Sequence, residues 1–69
     1  MKLSARNCLK GKVVKLTMGA VNAEVVLELE GGAQIVSIIT KESAQNLQLE
    51  DGKEAYAVIK ASNIMLAVD

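Results

Sequence analysis

The sequence predicts an all-β fold, a small barrel of five strands with one short helix between the third and fourth. Three observations predict it. A strict two-residue alternation of apolar and polar side chains runs from Val21 to Leu29. A glycine pair, Gly31-Gly32, separates two such runs as a hairpin turn does. Proline, which central strands exclude, is absent from the whole chain.

The elements follow in order. Lys10 to Leu16 is short, apolar and β-branched, and reads as a strand or the middle of a longer one. In the second strand Val21, Ala23, Val25, Leu27 and Leu29 share one face, and Asn22, Glu24, Glu28 and Glu30 share the other; Val26 is the one apolar residue among the polar ones. The third run, Ala33 to Thr40, carries Ile35, Ser37 and Ile39 on one side and Val36 and Ile38 on the other. A strand apolar on both faces needs cover twice, once from its own core and once from something else.

Thr40 to Leu47 is the helical stretch. Thr40 is suited to be its N-cap, and Glu42 lies in the first turn, where the helix dipole favours negative charge. Ala44 and Leu47, three apart, are placed to plug one end of the barrel. Glu50-Asp51-Gly52 is a turn, Lys53 to Lys60 a fourth strand, Ala61-Ser62-Asn63 a polar interruption, and Ile64 to Val68 a fifth strand. Five strands with a helix between the third and fourth is the layout of an OB-like Greek-key barrel. No linker or repeat divides the chain, so residues 1–69 are expected to be a single domain.

Composition then narrows what such a barrel does. A domain of 69 residues buries only about 60% of the surface its unfolded chain exposes, and is marginal alone. Disulfides, metals and self-association are the usual remedies. Cys8 is the only cysteine and there is no histidine, which removes an internal disulfide and a structural zinc site. Self-association remains, and an apolar content of 51% argues for it, because a chain this small cannot hide so much valine, isoleucine and leucine.

Eight basic and eight acidic residues cancel, and Tyr56 is the sole aromatic. A nucleic-acid-binding barrel needs a basic groove and stacking platforms, so that reading is disfavoured. The start of the chain has no signal-like apolar region and no run long enough for a membrane helix, so a cytoplasmic protein without a membrane partner is expected.

Catalysis is not expected: there is no histidine to move protons near neutral pH, no nucleophile motif and no phosphate loop. Glu24, Glu28 and Glu30 read as solvated carboxylates on an exposed strand face. Cys8 reads as a small packed or half-buried residue and not a reactive thiol. No set of side chains is a direct metal-ligand constellation.

Two segments combine hydroxyls, an amide and cations where regular pairing must break: Ser4-Ala5-Arg6-Asn7 before the first strand, and Lys60-Ala61-Ser62 between the last two. Turned towards one another they would form a donor-rich nest for a small dianion. By composition alone they are equally turn, capping and surface residues.

Resemblance adds to this. Ser4-Ala5-Arg6-Asn7 followed by Leu9-Lys10-Gly11-Lys12-Val13-Val14 resembles the opening of the molbindins, small Mop-type molybdate-binding proteins. The likeness continues through Ala23-Glu24-Val25-Val26-Leu27-Glu28, Ile38-Ile39-Thr40 and Ala57-Val58-Ile59-Lys60-Ala61-Ser62, and so covers essentially the whole chain. It implies an OB-like fold assembled as a homohexamer, a trimer of dimers, that stores or buffers molybdate or tungstate between subunits. The implied oxyanion site takes Ser4, Ala5, Arg6 and Asn7 from one chain and Lys60, Ala61 and Ser62 from another. A second implied site near the symmetry axis falls on Gly19, Ala20, Val21 and Asn22. The chain departs from the family pattern at Cys8, where glutamine or another polar residue is common, and at Asn22, where threonine or serine is frequent. The competing readings are an OB-type nucleic-acid-binding module and a purely structural oligomerisation module.

Overall fold

The computed structural model describes residues 1–69. Four strands form one antiparallel sheet: β1 (Asn7–Met18), β2 (Asn22–Leu29), β3 (Gln34–Thr40) and β4 (Glu54–Ile59), in the order β3-β2-β1-β4. A short helix, α1 (Lys41–Asn46), joins β3 to β4, and a single 3₁₀ turn covers Ala61–Asn63. The sheet is OB-like and curls around a cluster of Val13, Val25 and Leu27, against which Leu16, Ile39, Leu49, Ala55 and Ala57 pack.

β1 pairs with β2 along one side and with β4 along the other, and this double role explains its twelve residues. Its ladder with β2 slips at Val14, where Val14 and Lys15 together oppose Val26. An extra residue of this kind bends a strand and increases its twist, which lets one long strand serve two halves of a curled sheet. Gly11 sits where β1 is crossed most closely. A Cβ there would lie 3.0 Å from the Glu28 carbonyl oxygen and 3.3 Å from Leu27 Cβ.

The β2–β3 hairpin turns through Gly31 and Gly32 at φ of +93° and +97°, a region L side chains rarely occupy. The Leu29 N–H donates to the Ala33 carbonyl (2.7 Å) and closes it. Thr40 caps α1 as expected: the Ser43 N–H donates to Thr40 Oγ1 at 3.0 Å. At the helix end Lys53 Nζ donates to the Leu47 and Gln48 carbonyls (2.8 and 3.1 Å), satisfying acceptors the helix leaves open.

Three expectations are corrected. Val21 does not join the inward face of β2. It lies just before the strand and is exposed, because its carbonyl accepts the Lys41 N–H and fixes it in the turn. Ala44 is buried as expected, but Leu47 is exposed, and Leu49 packs on the core in its place. Gln48 takes a positive φ of 53° and reverses the chain between them.

The third correction is the largest. Ile64 to Val68 forms no strand within the chain. The segment leaves the body after the 3₁₀ turn, with Met65, Leu66 and Val68 at 93%, 93% and 96% exposure. Pairing was missing, not apolar character: the edges of β3 and β4 stay unoccupied and the tail reaches neither. Only 7 of 69 residues are fully buried, and Val36 and Ile38 on the outer face of β3 are 61% and 67% exposed. An apolar surface of this extent marks contact with something else.

Leu27→Ala is expected to destabilise the fold by about 2–5 kcal/mol, read as a lowered urea midpoint at unchanged slope. Gly11→Ala should cost about 1–3 kcal/mol by overpacking against backbone that cannot yield. On the surface, Lys10 Nζ lies 3.1 Å from Glu54 Oε2. The hydrogen bond and charge of Glu54 raise the Lys10 pKa above its ordinary value. The contribution of this pair is therefore complete below the ordinary lysine pKa and disappears as pH rises through the raised one. Lys10→Met should remove that small contribution across the neutral range, where it is complete, and flatten the alkaline limb of a stability–pH curve, where the native pair would otherwise lose it.

Candidate functional site

The site begins with strand register. β1 and β4 run antiparallel with Asn7 opposite Ile59, so the residues entering β1 and those leaving β4 must meet at one end of the sheet. There the chain forms an open concavity of about 620 Å³ lined by Ser4, Ala5, Arg6, Val58, Lys60, Ala61, Ser62 and Asn63. Six of the seven residues singled out for the first site thus share one hollow. The resemblance assigned them to two different chains; in a single chain they are already neighbours.

Asn7, the seventh, does not line the hollow. Its Nδ2–H donates to the Ile59 carbonyl at 3.4 Å and ties the two walls together from behind. Val58 and Asn63 were not anticipated. Val58 lies on the outward face of β4, two residues before Lys60, a signal present in the period-two pattern. Asn63 is the next polar residue of the interruption already recognised.

The backbone supplies donors. Asn63 and Ile64 N–H groups close the 3₁₀ turn on the Lys60 and Ala61 carbonyls (2.9 and 3.3 Å). The N–H groups of Ser4, Ala5, Arg6, Ala61 and Ser62 make no hydrogen bond within the chain. Their exposure leaves them to water or to a ligand.

Charge points the same way. Arg6 and Lys60 are the only ionisable residues of the hollow, and neither takes part in an ion pair, the sole salt bridge being Lys10–Glu54. The other charged concavities mix signs: one combines Glu50 and Asp51 with Lys53, another Lys10 and Lys12 with Glu28, Glu30 and Glu54. Two unpaired cations, free amides and two serine hydroxyls can neutralise and hydrogen-bond a compact anion. The same set cannot hold a bare metal cation, and no three of the chain's Cys, Asp and Glu side chains cluster.

The residues of the second expected site are not gathered into a cavity. Gly19, Ala20, Val21 and Asn22 form the exposed turn between β1 and β2, closed by the Gly19 N–H donating to the Asn22 carbonyl (2.8 Å). They stand at the other end of β1 from the hollow. Cys8, expected to be packed or half-buried, is instead exposed on the outward face of β1 opposite Val58, where no part of the chain covers it.

A curled OB-like sheet with an anion-suited hollow at the β1–β4 end defines a class of small-ligand binding modules. Comparison with known proteins identifies it. Residues 3–66 match the TOBE domain. A probable molybdenum-pterin-binding protein of Haemophilus influenzae is 49% identical over 69 residues, the full length of both chains. MopII from Clostridium pasteurianum superimposes with a TM-score of 0.92 at 49% identity, covering 97% of this chain and 100% of that one. The cytoplasmic molybdate-binding protein ModG, in a form with molybdate bound, superimposes with a TM-score of 0.96 at 54% identity, covering 100% of this chain and 49% of ModG. The chain belongs to the TOBE-domain family and, within it, to the Mop-type molbindins.

Proposed function

We propose that this chain binds molybdate, and tungstate by the same chemistry, as a tetrahedral dianion in the hollow between Ser4–Arg6 and Lys60–Asn63, as a store or buffer and not a catalyst. The observation that carries the reading is the pairing of Arg6 and Lys60, both without an ionic partner, beside five backbone N–H groups that have no acceptor in the chain. MopII, of nearly the same length and the same fold, and molybdate-bound ModG, of which this chain spans 49%, support it. Ser4, Arg6, Lys60 and Ser62 supply side-chain donors, Ala5 and Ala61 supply amides, and Asn7 holds the two segments together.

The bound species is the oxyanion itself, with no pterin ring, because Tyr56 is the only aromatic residue and lies outside the hollow. Molybdate carries two charges and four acceptor oxygens and no proton at neutral pH. Phosphate usually keeps a proton, for which a cradle dominated by donors has little to offer. Sulfate matches the charge and must be distinguished by size.

One chain does not enclose this ligand. The hollow is far larger than one tetrahedral oxyanion and opens to solvent, so the site is completed at a seam between copies of a homo-oligomer, a hexamer built as a trimer of dimers. Enclosure there lowers the local dielectric and strengthens each donor contact. Residues 1–69 act as one module, and the fifth strand of the barrel belongs to the assembled state. The turn Gly19–Asn22 offers a weaker second position on the symmetry axis, where several copies would pool it. ModG, described as cytoplasmic, supports the same location for this chain, and no helix here is long and apolar enough to cross a membrane.

Molybdate at about a hundredfold excess over its Kd should add about 2.7 kcal/mol of apparent stability, seen as a raised thermal midpoint. A midpoint unmoved by molybdate and by tungstate sinks the reading. Arg6→Ala and Lys60→Ala each remove a charge-assisted contact worth roughly 1.5–3 kcal/mol, and should weaken binding roughly ten- to a hundredfold in calorimetric titration. With no histidine in the chain, affinity should be nearly flat from about pH 6 to pH 8. A steep change across that range would assign control of the site to a group not considered.

A further inference from the structure

A hollow that admits molybdate also meets sulfate, an anion of the same shape and charge and of smaller radius. Charge and the supply of donors do not separate the two. A size filter must, and a size filter needs a wall that does not give.

Most of this hollow gives. Arg6 and Lys60 end in long, rotatable stems with no ionic partner to hold them. Serine hydroxyls turn to suit what they meet, and those of Ser4 and Ser62 make no hydrogen bond in the chain. The amides of Ser4–Arg6 are likewise tied to nothing in the chain. All these groups can follow an anion of either size.

Val58 is the exception. Of the eight residues that line the hollow, it alone belongs to a strand. The β1–β4 ladder fixes its backbone opposite Cys8, and branching at Cβ restricts its χ1. The other two apolar lining residues are Ala5 and Ala61, so Val58 alone carries apolar bulk beyond Cβ. Its side chain is 49% exposed on the outward face of β4, with nothing from the chain lying over it.

We propose that Val58 is the size gauge of the oxyanion site: its two methyl groups form a floor at fixed depth, and the radius of the anion resting there decides whether its outer oxygens reach the donors of both walls. The gauge rests on the oxyanion reading and names the residue that sets its selectivity. Methyl groups offer an anion no hydrogen bond, so Val58 acts by shape and not by attraction. Molybdate, the larger ion, bridges from the floor to Ser4–Arg6 and Ala61–Ser62 together. Sulfate on the same floor stands short of one wall, and a donor left unmatched in an enclosed site is costly.

The test is calorimetric titration of the unmodified chain and two variants with molybdate, tungstate and sulfate. Val58→Ile adds one methylene to the floor and crowds the larger anions first. The preference for molybdate over sulfate should therefore fall by about tenfold, the discrimination that one methylene gives in a close-fitting pocket. Molybdate and tungstate, nearly equal in size, should weaken together and keep their ratio. Val58→Thr preserves the branched shape and should preserve the molybdate-to-sulfate preference, whatever its hydroxyl does to both affinities. Each preference is a ratio measured on one protein, so a general loss of folded material cancels from it. An unchanged preference in Val58→Ile, an equal loss in Val58→Thr, or a split between molybdate and tungstate overturns the gauge. An unmodified chain that binds molybdate and sulfate alike overturns it too, and leaves the oxyanion reading standing. A chain indifferent to both molybdate and tungstate removes that reading, and the gauge with it.

Discussion

A four-stranded sheet cannot close on itself when its edge strands, β3 and β4, have nothing between them, and most features of this molecule follow from that. A closed small barrel buries inward side chains on every strand. Here full burial reaches only Gly11, Val13, Ala23, Val25, Val26, Leu27 and Ala44, all but the last on the two central strands. Ile35 and Ile39 on β3, and Ala55, Ala57 and Ile59 on β4, alternate inward yet are only partly buried for want of a neighbour on the far side. The hydrophobic effect scales with area removed from water, at about 25 cal/mol per Å². The central strands collect it and the edges do not.

The same connectivity creates the hollow at the β1–β4 corner. Antiparallel pairing of β1 with β4 places two chain segments 55 or so positions apart in sequence at one corner of the sheet, with Asn7 bonded to the Ile59 carbonyl across the join. Neither segment continues the ladder, so each keeps its amides free. The net charge of zero is consistent with this design. A protein that draws an anion from a distance benefits from a broad positive field. One that holds an anion at short range needs two cations without competing carboxylates, and Arg6 and Lys60 meet that condition while every other charged hollow mixes signs.

Legibility in the sequence follows the range of the interaction that decides each feature. The alternation of β2, the Gly31-Gly32 turn and the Thr40 cap are fixed within a few residues of themselves, and each is visible in the sequence alone. Val21 misleads because its alternation continues the strand while a hydrogen bond from Lys41, twenty positions on, holds it in the turn. Leu47 and Leu49 exchange roles because the reversal at Gln48 has no glycine to announce it. The bulge at Val14 leaves the pattern of β1 intact and shows only in its register with β2. Ile64 to Val68 carries every local mark of a strand, and what it lacks is a partner, which no periodicity reports. The two site segments were legible as unusual polar interruptions; their meeting depends on the β1–β4 register.

Under the proposed function, assembly and ligand become one equilibrium. A ligand that binds only where copies meet stabilises the meeting by the same free energy with which it is held, so affinity and oligomer strength rise together. The chain by itself buries seven residues, so a seam between copies, as proposed, would be where further stability comes from. Desolvating Arg6 and Lys60 there without an anion would leave two like charges in a medium that screens them poorly, which opposes closure. A dianion reverses the sign of that term. The empty assembly is thus expected to keep its cations partly hydrated and its seam loose, and the filled one to tighten around four oxygens. On that reading, the difference in packing at the seam is how a small barrel would respond to its ligand.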